Sequence, residues 1–148
     1  MTEWLLSIEG TQAGHQTALS LALMAASLWI PYIVGVNTAP EGSIPVDAPD
    51  GFVIPPDPSV QRPWVRRAYR AHLNLLEQSV PFAVLVLLVD RVDGFSALTL
   101  WTSVAFLAFR VAHAVGYITA TARFPGRPLI FTGGWVCCLL MGWALFTA

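Results

Sequence analysis

The chain has 148 residues, of which 55% are apolar and only 11% are charged, against about 25% charged residues in a typical soluble domain. A soluble core of this length could not bury so much apolar surface, and the length fits a single domain. The formal net charge of −1 excludes the basic surface that binding to nucleic acid requires.

Four apolar runs are long enough to cross a hydrocarbon layer about 30 Å thick, which takes about 20 helical residues. We predict membrane-spanning helices at residues 16–36, 68–89, 95–121 and 129–148. The predicted fold class is therefore all-α: a single domain, 1–148, that forms an integral membrane four-helix bundle in contact with lipid.

A proline-rich connection, residues 37–63, joins the first two predicted spans and contains seven of the eleven prolines. This density of proline excludes a helix or a central strand. The segment is also longer than most connections without secondary structure, which leaves two interpretations: a lid over a functional site or a mobile surface loop.

Arginines border the first and third connections, whereas the middle connection has only Arg91 and the termini have none. The arginines concerned are Arg62, Arg66, Arg67 and Arg70, then Arg123 and Arg127. Because cationic residues collect on the cytoplasmic side of membrane proteins, we predict that loops 37–67 and 122–128 are cytoplasmic. Both termini would lie on the opposite side.

Polar side chains recur at helical spacing in the second and third spans, which places them on one face of each helix. They are Arg67, Arg70, Asn74 and Glu77, then Arg110, His113 and Tyr117. A charge at the bilayer centre costs about 2.5–3.5 kcal/mol, so Glu77 and Arg110 should face each other or a wet cavity. One interpretation is a buried Glu77–Arg110 ion pair that fixes the register of the bundle. The other is a ligand site, because seven polar side chains exceed what one pair needs.

The antiparallel order of the spans would bring Arg67, Arg70, Tyr117, Arg123 and Arg127 to the cytoplasmic end of the bundle. We therefore predict a cationic pocket at this membrane boundary, with the Glu77 carboxylate available to bind an amine. Such a pocket suits a small anionic ligand that carries carboxylates and an amino group.

Three further side chains are interpreted as structural. Cys137 and Cys138 are adjacent in an apolar run and should serve helix packing, and His72 lies off the polar face, at the membrane interface or in an oligomer contact. No pair of histidines has metal-ligand spacing with carboxylates beside it, so no metal site is predicted.

The segment RAYRAHLNLLE, from Arg67 to Glu77, followed by Pro81 and Phe82, resembles the signature of the MAPEG superfamily, the membrane-associated proteins in eicosanoid and glutathione metabolism. The segment RVAHAVGY, residues 110–117, is similar to the pattern of its prostaglandin E synthase branch. The resemblance implies a bacterial-type homotrimer in the inner membrane. It also implies a glutathione site between neighbouring protomers, near the cytoplasmic side.

The resemblance also implies roles for individual residues. Glutathione contacts would come from Arg70, Asn74, Glu77, His113 and Tyr117. Arg127 matches the position of a family arginine near the thiol, where a guanidinium favours the nucleophilic thiolate. The implied activity is that of a glutathione transferase or peroxidase acting on a small lipophilic electrophile or peroxide.

Four departures from the family pattern favour an alternative function. The first span has no charged residue, and Leu73, Pro128 and Phe131 replace an arginine, a serine and a tyrosine of the family enzymes. The alternative is a non-catalytic membrane protein that retains the fold. It would use the polar stripe for bundle register or to bind another anionic ligand or lipid.

Overall fold

The computed structural model describes residues 2–37 and 62–147, which form four α-helices and no strand. They are α1 (Thr2–Asn37), α2 (Pro63–Arg91), α3 (Ala97–Ile118) and α4 (Gly126–Phe146). The predicted all-α class is confirmed. Apart from its ends, the predicted proline-rich loop 37–63 lies outside the described residues.

Consecutive helices run antiparallel around a central α2–α3 pair, with α1 packed against both of these helices on one side and α4 against both on the other. His15, in the first half of α1, lies 3.5 Å from Asp90 at the end of α2. Arg67, at the start of α2, donates a hydrogen bond to the carbonyl of Ile118 at the end of α3. The start of α2, the end of α3 and the start of α4 therefore meet at one end of the bundle.

Helices α2, α3 and α4 are each long and apolar enough to cross a membrane, and the molecule is an all-α membrane bundle. The predicted first span, 16–36, lies inside α1, which begins at Thr2. The earlier start has a simple cause. An apolar run marks only the part of a helix that faces lipid, whereas α1 continues through polar residues such as Glu9 and His15.

Stacked aromatic rings form the centre of the core. The rings of Phe82 and Phe106 are fully buried and parallel, with their centroids 3.9 Å apart. Cys137 is buried in the same cluster, and both cysteines are free thiols. The interpretation of Cys137 as a packing residue is confirmed.

His72 is a contact between helices inside the bundle. Its side chain is buried, its Nδ1 lies 3.0 Å from the carbonyl oxygen of Ala25, and its ring centroid lies 4.9 Å from that of Trp29. His72 therefore lies off the polar face, as predicted, but its side chain joins α2 to α1 and does not face lipid or another copy.

The turn after α3 begins earlier than the apolar pattern predicts, at Ile118 rather than at residue 121. Ala120 takes a left-handed backbone with φ of 60°, a conformation that cannot continue a right-handed helix. The N–H of Ala122 then donates to the carbonyl of Gly116 at 3.0 Å. The chain therefore folds back tightly towards α4.

Helix α4 begins at Gly126 rather than at residue 129. Arg127, predicted in the preceding connection, consequently lies in the first turn of α4. Its side chain is placed by a helix and not by a loop.

Candidate functional site

A pocket of about 490 Å³ opens at the end of the bundle where α2, α3 and α4 meet. Its lining residues are Asn74, His113, Ala122, Phe124, Arg127, Pro128 and Phe131. The volume lies within the usual range for small-molecule sites. Two kinds of surface meet here: polar groups from all three helices and an apolar wall from the turn and α4.

The structure brings four of the predicted site residues together at this pocket. Asn74, His113 and Arg127 line it directly. The guanidinium carbon of Arg127 lies 4.4 Å from the ring centroid of Tyr117, and the Tyr117 ring lies 5.9 Å from that of His113. A cation over an aromatic face is attracted by the ring quadrupole, so Tyr117 holds the Arg127 side chain at the pocket.

Arg70 and Glu77 lie on the surface of the bundle beside this pocket. Both are exposed, and they precede and follow the half-buried Asn74 by four and three residues. Residues at these spacings share one face of a helix. The α2 stripe of Arg70, Asn74 and Glu77 thus runs along the pocket edge and leaves a cation and an anion at the surface of a membrane-spanning helix.

Arg67 has a different environment from the other stripe residues. Its Nε donates to the carbonyl of Ile118 at 2.8 Å, and its side chain is half-buried. A cationic donor at this position satisfies one of the carbonyls that a helix leaves open at its C-terminus. Arg67 therefore ties the start of α2 to the end of α3.

Arg110 is buried, with 1% of its surface exposed. Its Nη2 donates to the carbonyl of Ile130 at 3.2 Å, and its guanidinium lies 5.6 Å and 5.7 Å from the ring centroids of Phe106 and Phe131. Glu77 points out of the bundle, so the interpretation as a Glu77–Arg110 ion pair is wrong for the single chain. The two side chains lie on different sides of α2.

Gln78 is a buried polar residue that the sequence analysis missed. Its Nε2 donates to the carbonyl of Phe131 at 3.2 Å, next to the carbonyl that Arg110 contacts. The one feature of the sequence that could have indicated a role for Gln78 is that a polar amide side chain directly follows Glu77 in a membrane span. Being one position further along the helix, it lies about 100° away from the polar stripe and faces α4.

The arrangement fits a small zwitterionic ligand with an apolar co-substrate. Guanidinium groups suit carboxylates and the Glu77 carboxylate suits an amine, while Phe124, Pro128 and Phe131 present an apolar wall. The pocket therefore offers charge for one partner and apolar surface for another.

The comparison with protein families covers most of the chain. A model of the MAPEG family matches residues 17–147, which include every candidate site residue. The chain belongs to the MAPEG family. Comparison with the curated proteins gives no match.

Membership agrees with the geometry that this MAPEG protein shows. The two quoted segments, 67–77 and 110–117, lie in α2 and α3 and supply Asn74 and His113 to the pocket, while Arg127 comes from α4. Two of the four departures from the family pattern, Pro128 and Phe131, lie in α4 and supply part of the apolar wall of the pocket.

Proposed function

We propose that this MAPEG protein is a homotrimeric, glutathione-dependent transferase or peroxidase of the bacterial inner membrane that acts on a lipophilic substrate. The observation that carries the proposal is the pocket in which Asn74, His113 and Arg127 converge beside the exposed pair Arg70 and Glu77. This pocket combines the charges that glutathione needs with an apolar wall.

The α2 stripe would bind the charged groups of glutathione. Glu77 would accept the amino group and Arg70 a carboxylate, with Asn74, His113 and Tyr117 as further contacts. Arg67 lies at the same end and adds positive charge close to the site. Hydrogen bonds to charged groups contribute about 1.5–3 kcal/mol each, so this set would be strong enough to fix the ligand in one orientation.

Arg127 would act at the thiol. When bound, glutathione would supply a thiol whose ionised form attacks a lipophilic electrophile and displaces its leaving group, or attacks a peroxide and breaks its O–O bond, with a second glutathione then completing the disulfide. A free thiol ionises near pH 8.5, and a neighbouring guanidinium favours the thiolate. Tyr117 keeps the Arg127 guanidinium at the pocket, so its charge is in place before any ligand arrives.

The exposure of the stripe supports an oligomer, and the family resemblance implies that it has three copies. Leaving Arg70 and Glu77 against lipid would cost several kcal/mol, whereas a second copy packed on this face would cover them. Light scattering of the detergent-solubilised protein should give three chains per particle. A monomeric particle that binds glutathione would contradict the trimer alone.

Calorimetry tests the proposed glutathione site. We expect the wild type to bind glutathione, and Arg70→Ala and Glu77→Ala to bind about tenfold or more weakly, as the loss of a charged hydrogen bond requires. Arg91→Ala at the far end of α2 is the matched control and should bind as the wild type does. Absence of binding to the wild type would refute the proposal.

A second candidate function is favoured by the α4 wall, where Pro128 and Phe131 offer no side-chain hydroxyl. In this case the pocket would bind an anionic ligand or lipid without catalysis. Conjugation of an aryl halide by the purified protein, lost in Arg127→Ala, would exclude this function. Glutathione binding without any turnover of aryl halides or lipid hydroperoxides would favour it.

A further inference from the structure

Two buried polar side chains hold the same turn of α4 from two different helices. Arg110 of α3 donates to the carbonyl of Ile130, and Gln78 of α2 donates to the carbonyl of Phe131, each at 3.2 Å. Two adjacent carbonyls of α4 thus accept hydrogen bonds from side chains of two other helices. We name Arg110 and Gln78 the α4 clamp.

Gly134 makes room for the α4 clamp. A Cβ atom at this position would clash both with Nη2 of Arg110 and with Oε1 of Gln78. Only the absence of a side chain lets the guanidinium and the amide approach α4 so closely. Gly142, two turns further along, differs, since its Cβ would meet nothing nearer than Leu85 at 3.8 Å.

The clamp lies behind the pocket and not in it. Arg110 has 1% of its surface exposed, and it contacts the Phe131 ring that forms part of the pocket wall. Its Nε and Nη1 and the Oε1 of Gln78 are buried without a hydrogen-bond partner. Such atoms cost free energy in the folded protein.

The carbonyls of Ile130 and Phe131 lie one helical turn from Arg127, which lines the pocket. Arg127 precedes Ile130 and Phe131 by three and four residues, which places it one helical turn away on the same side of α4. Fixing the backbone of Ile130 and Phe131 therefore also fixes the backbone position from which the Arg127 side chain extends. It also fixes the Phe131 ring that separates the clamp from the pocket.

We propose that Arg110 and Gln78 are positioning residues: they anchor the first two turns of α4 and thereby hold Arg127 and Phe131 in place at the pocket. The part of this inference that concerns Arg127 rests on the proposed glutathione function. The anchoring of α4 does not rest on that function. The anchoring and the effect on Arg127 are therefore tested in separate experiments.

Hydrogen exchange of the ligand-free protein tests the anchoring. Gly134→Ala pushes both clamp residues away, and Gln78→Leu removes one donor at similar side-chain size. We expect amide exchange in residues 127–134 to rise about tenfold in both variants, as for the loss of one or two hydrogen bonds. Gly142→Ala, on the same helix, should exchange as the wild type does. Unchanged exchange in both variants would overturn the proposal.

Ionisation of the bound glutathione thiol, read from the ultraviolet absorbance of the thiolate, tests the effect on Arg127. In Gly134→Ala and Gln78→Leu we expect the pH of half-ionisation to rise by about one unit, equivalent to a tenfold loss of thiolate stabilisation. Affinity for glutathione should change less than about threefold, because the α2 stripe is intact.

Two results would contradict this assignment. A large loss of affinity with unchanged thiol ionisation would show that the clamp residues act as ligand contacts. A wild-type ionisation curve in both variants would show that Arg127 does not depend on them. If the wild type binds no glutathione, the proposed function fails, and hydrogen exchange alone decides whether the clamp anchors α4.

Discussion

Gly116 is the residue on which the turn between α3 and α4 depends. A Cβ at this position would lie 2.7 Å from the Cβ of Ala122, which belongs to the turn and lines the pocket. Both atoms are attached directly to backbone, so no side-chain rotation relieves the contact. The tight return of the chain therefore requires glycine here.

We expect Gly116→Ala to lower the free energy of unfolding by about 1–3 kcal/mol, the usual cost of forcing an extra methyl group into a packed site. Thermal unfolding in detergent measures the change. Gly126→Ala is the matched control in the same turn, because its Cβ would meet no atom within 4 Å. Equal stability of the two variants would show that the turn adapts without strain.

Tyr117 and Arg127 form the second residue-scale feature, a guanidinium 4.4 Å above a ring. Replacing Tyr117 by Leu removes the aromatic face, a loss of about 0.5–1 kcal/mol. We expect a two- to fivefold lower turnover at saturating glutathione. Tyr117→Phe keeps the ring and should keep the turnover. A rate in Tyr117→Leu equal to that of the wild type would show that the ring does not hold Arg127.

At the scale of helices, the two ends of α3 are fixed by different means. Its start has a capping box, in which the Oγ1 of Thr99 accepts from the N–H of Ser96 and donates to its carbonyl, each at 2.8 Å. Its end is held from outside, by the Arg67 side chain of α2. The end of α3 therefore has a hydrogen bond from another helix in addition to the local bond from Ala122 to Gly116, while its start is held within the chain segment itself.

We expect Arg67→Ala to loosen the end of α3 and to lower the free energy of unfolding by about 1–2 kcal/mol, since a carbonyl loses a charged donor. Faster hydrogen exchange confined to residues 115–121 would show the effect. Arg66→Ala removes the neighbouring exposed arginine and should leave exchange unchanged. Similar changes in both variants would point to a general effect of charge at this membrane boundary.

At the scale of the molecule, the antiparallel order of the helices could be predicted from the sequence, but the rotation of each helix about its axis could not. It brought Tyr117 and Arg127 to one end, as predicted, because spans joined by short connections alternate in direction. The sequence pattern did not predict which face of α2 packs against α3. That depends on the rotation of each helix, and for this reason Glu77 and Arg110 do not pair and the inward position of Gln78 was missed.

The positive-inside orientation remains a prediction for the whole chain, and cysteine labelling in bacterial membranes would test it. In a background with Cys137 and Cys138 replaced by Ala, a membrane-impermeant maleimide should label Thr121→Cys only from the cytoplasmic side. Val92→Cys, exposed in the α2–α3 connection, should be labelled only from the opposite side. The reverse pattern would invert the proposed topology and place the pocket away from the cytoplasm.

Helix α1 is longer than one crossing of a bilayer requires. Its 36 residues extend about 54 Å, whereas the hydrocarbon layer is about 30 Å thick. Even a tilt of about 40°, the upper end of what membrane helices show, leaves roughly 11 Å of helix outside that layer. Gly10 packs level with Ser96 and Thr99, where α3 begins. The two helical turns before it, residues 2–9, therefore extend past the start of α3 on the side away from the pocket, and the exposed Glu9 places a negative charge on this extension.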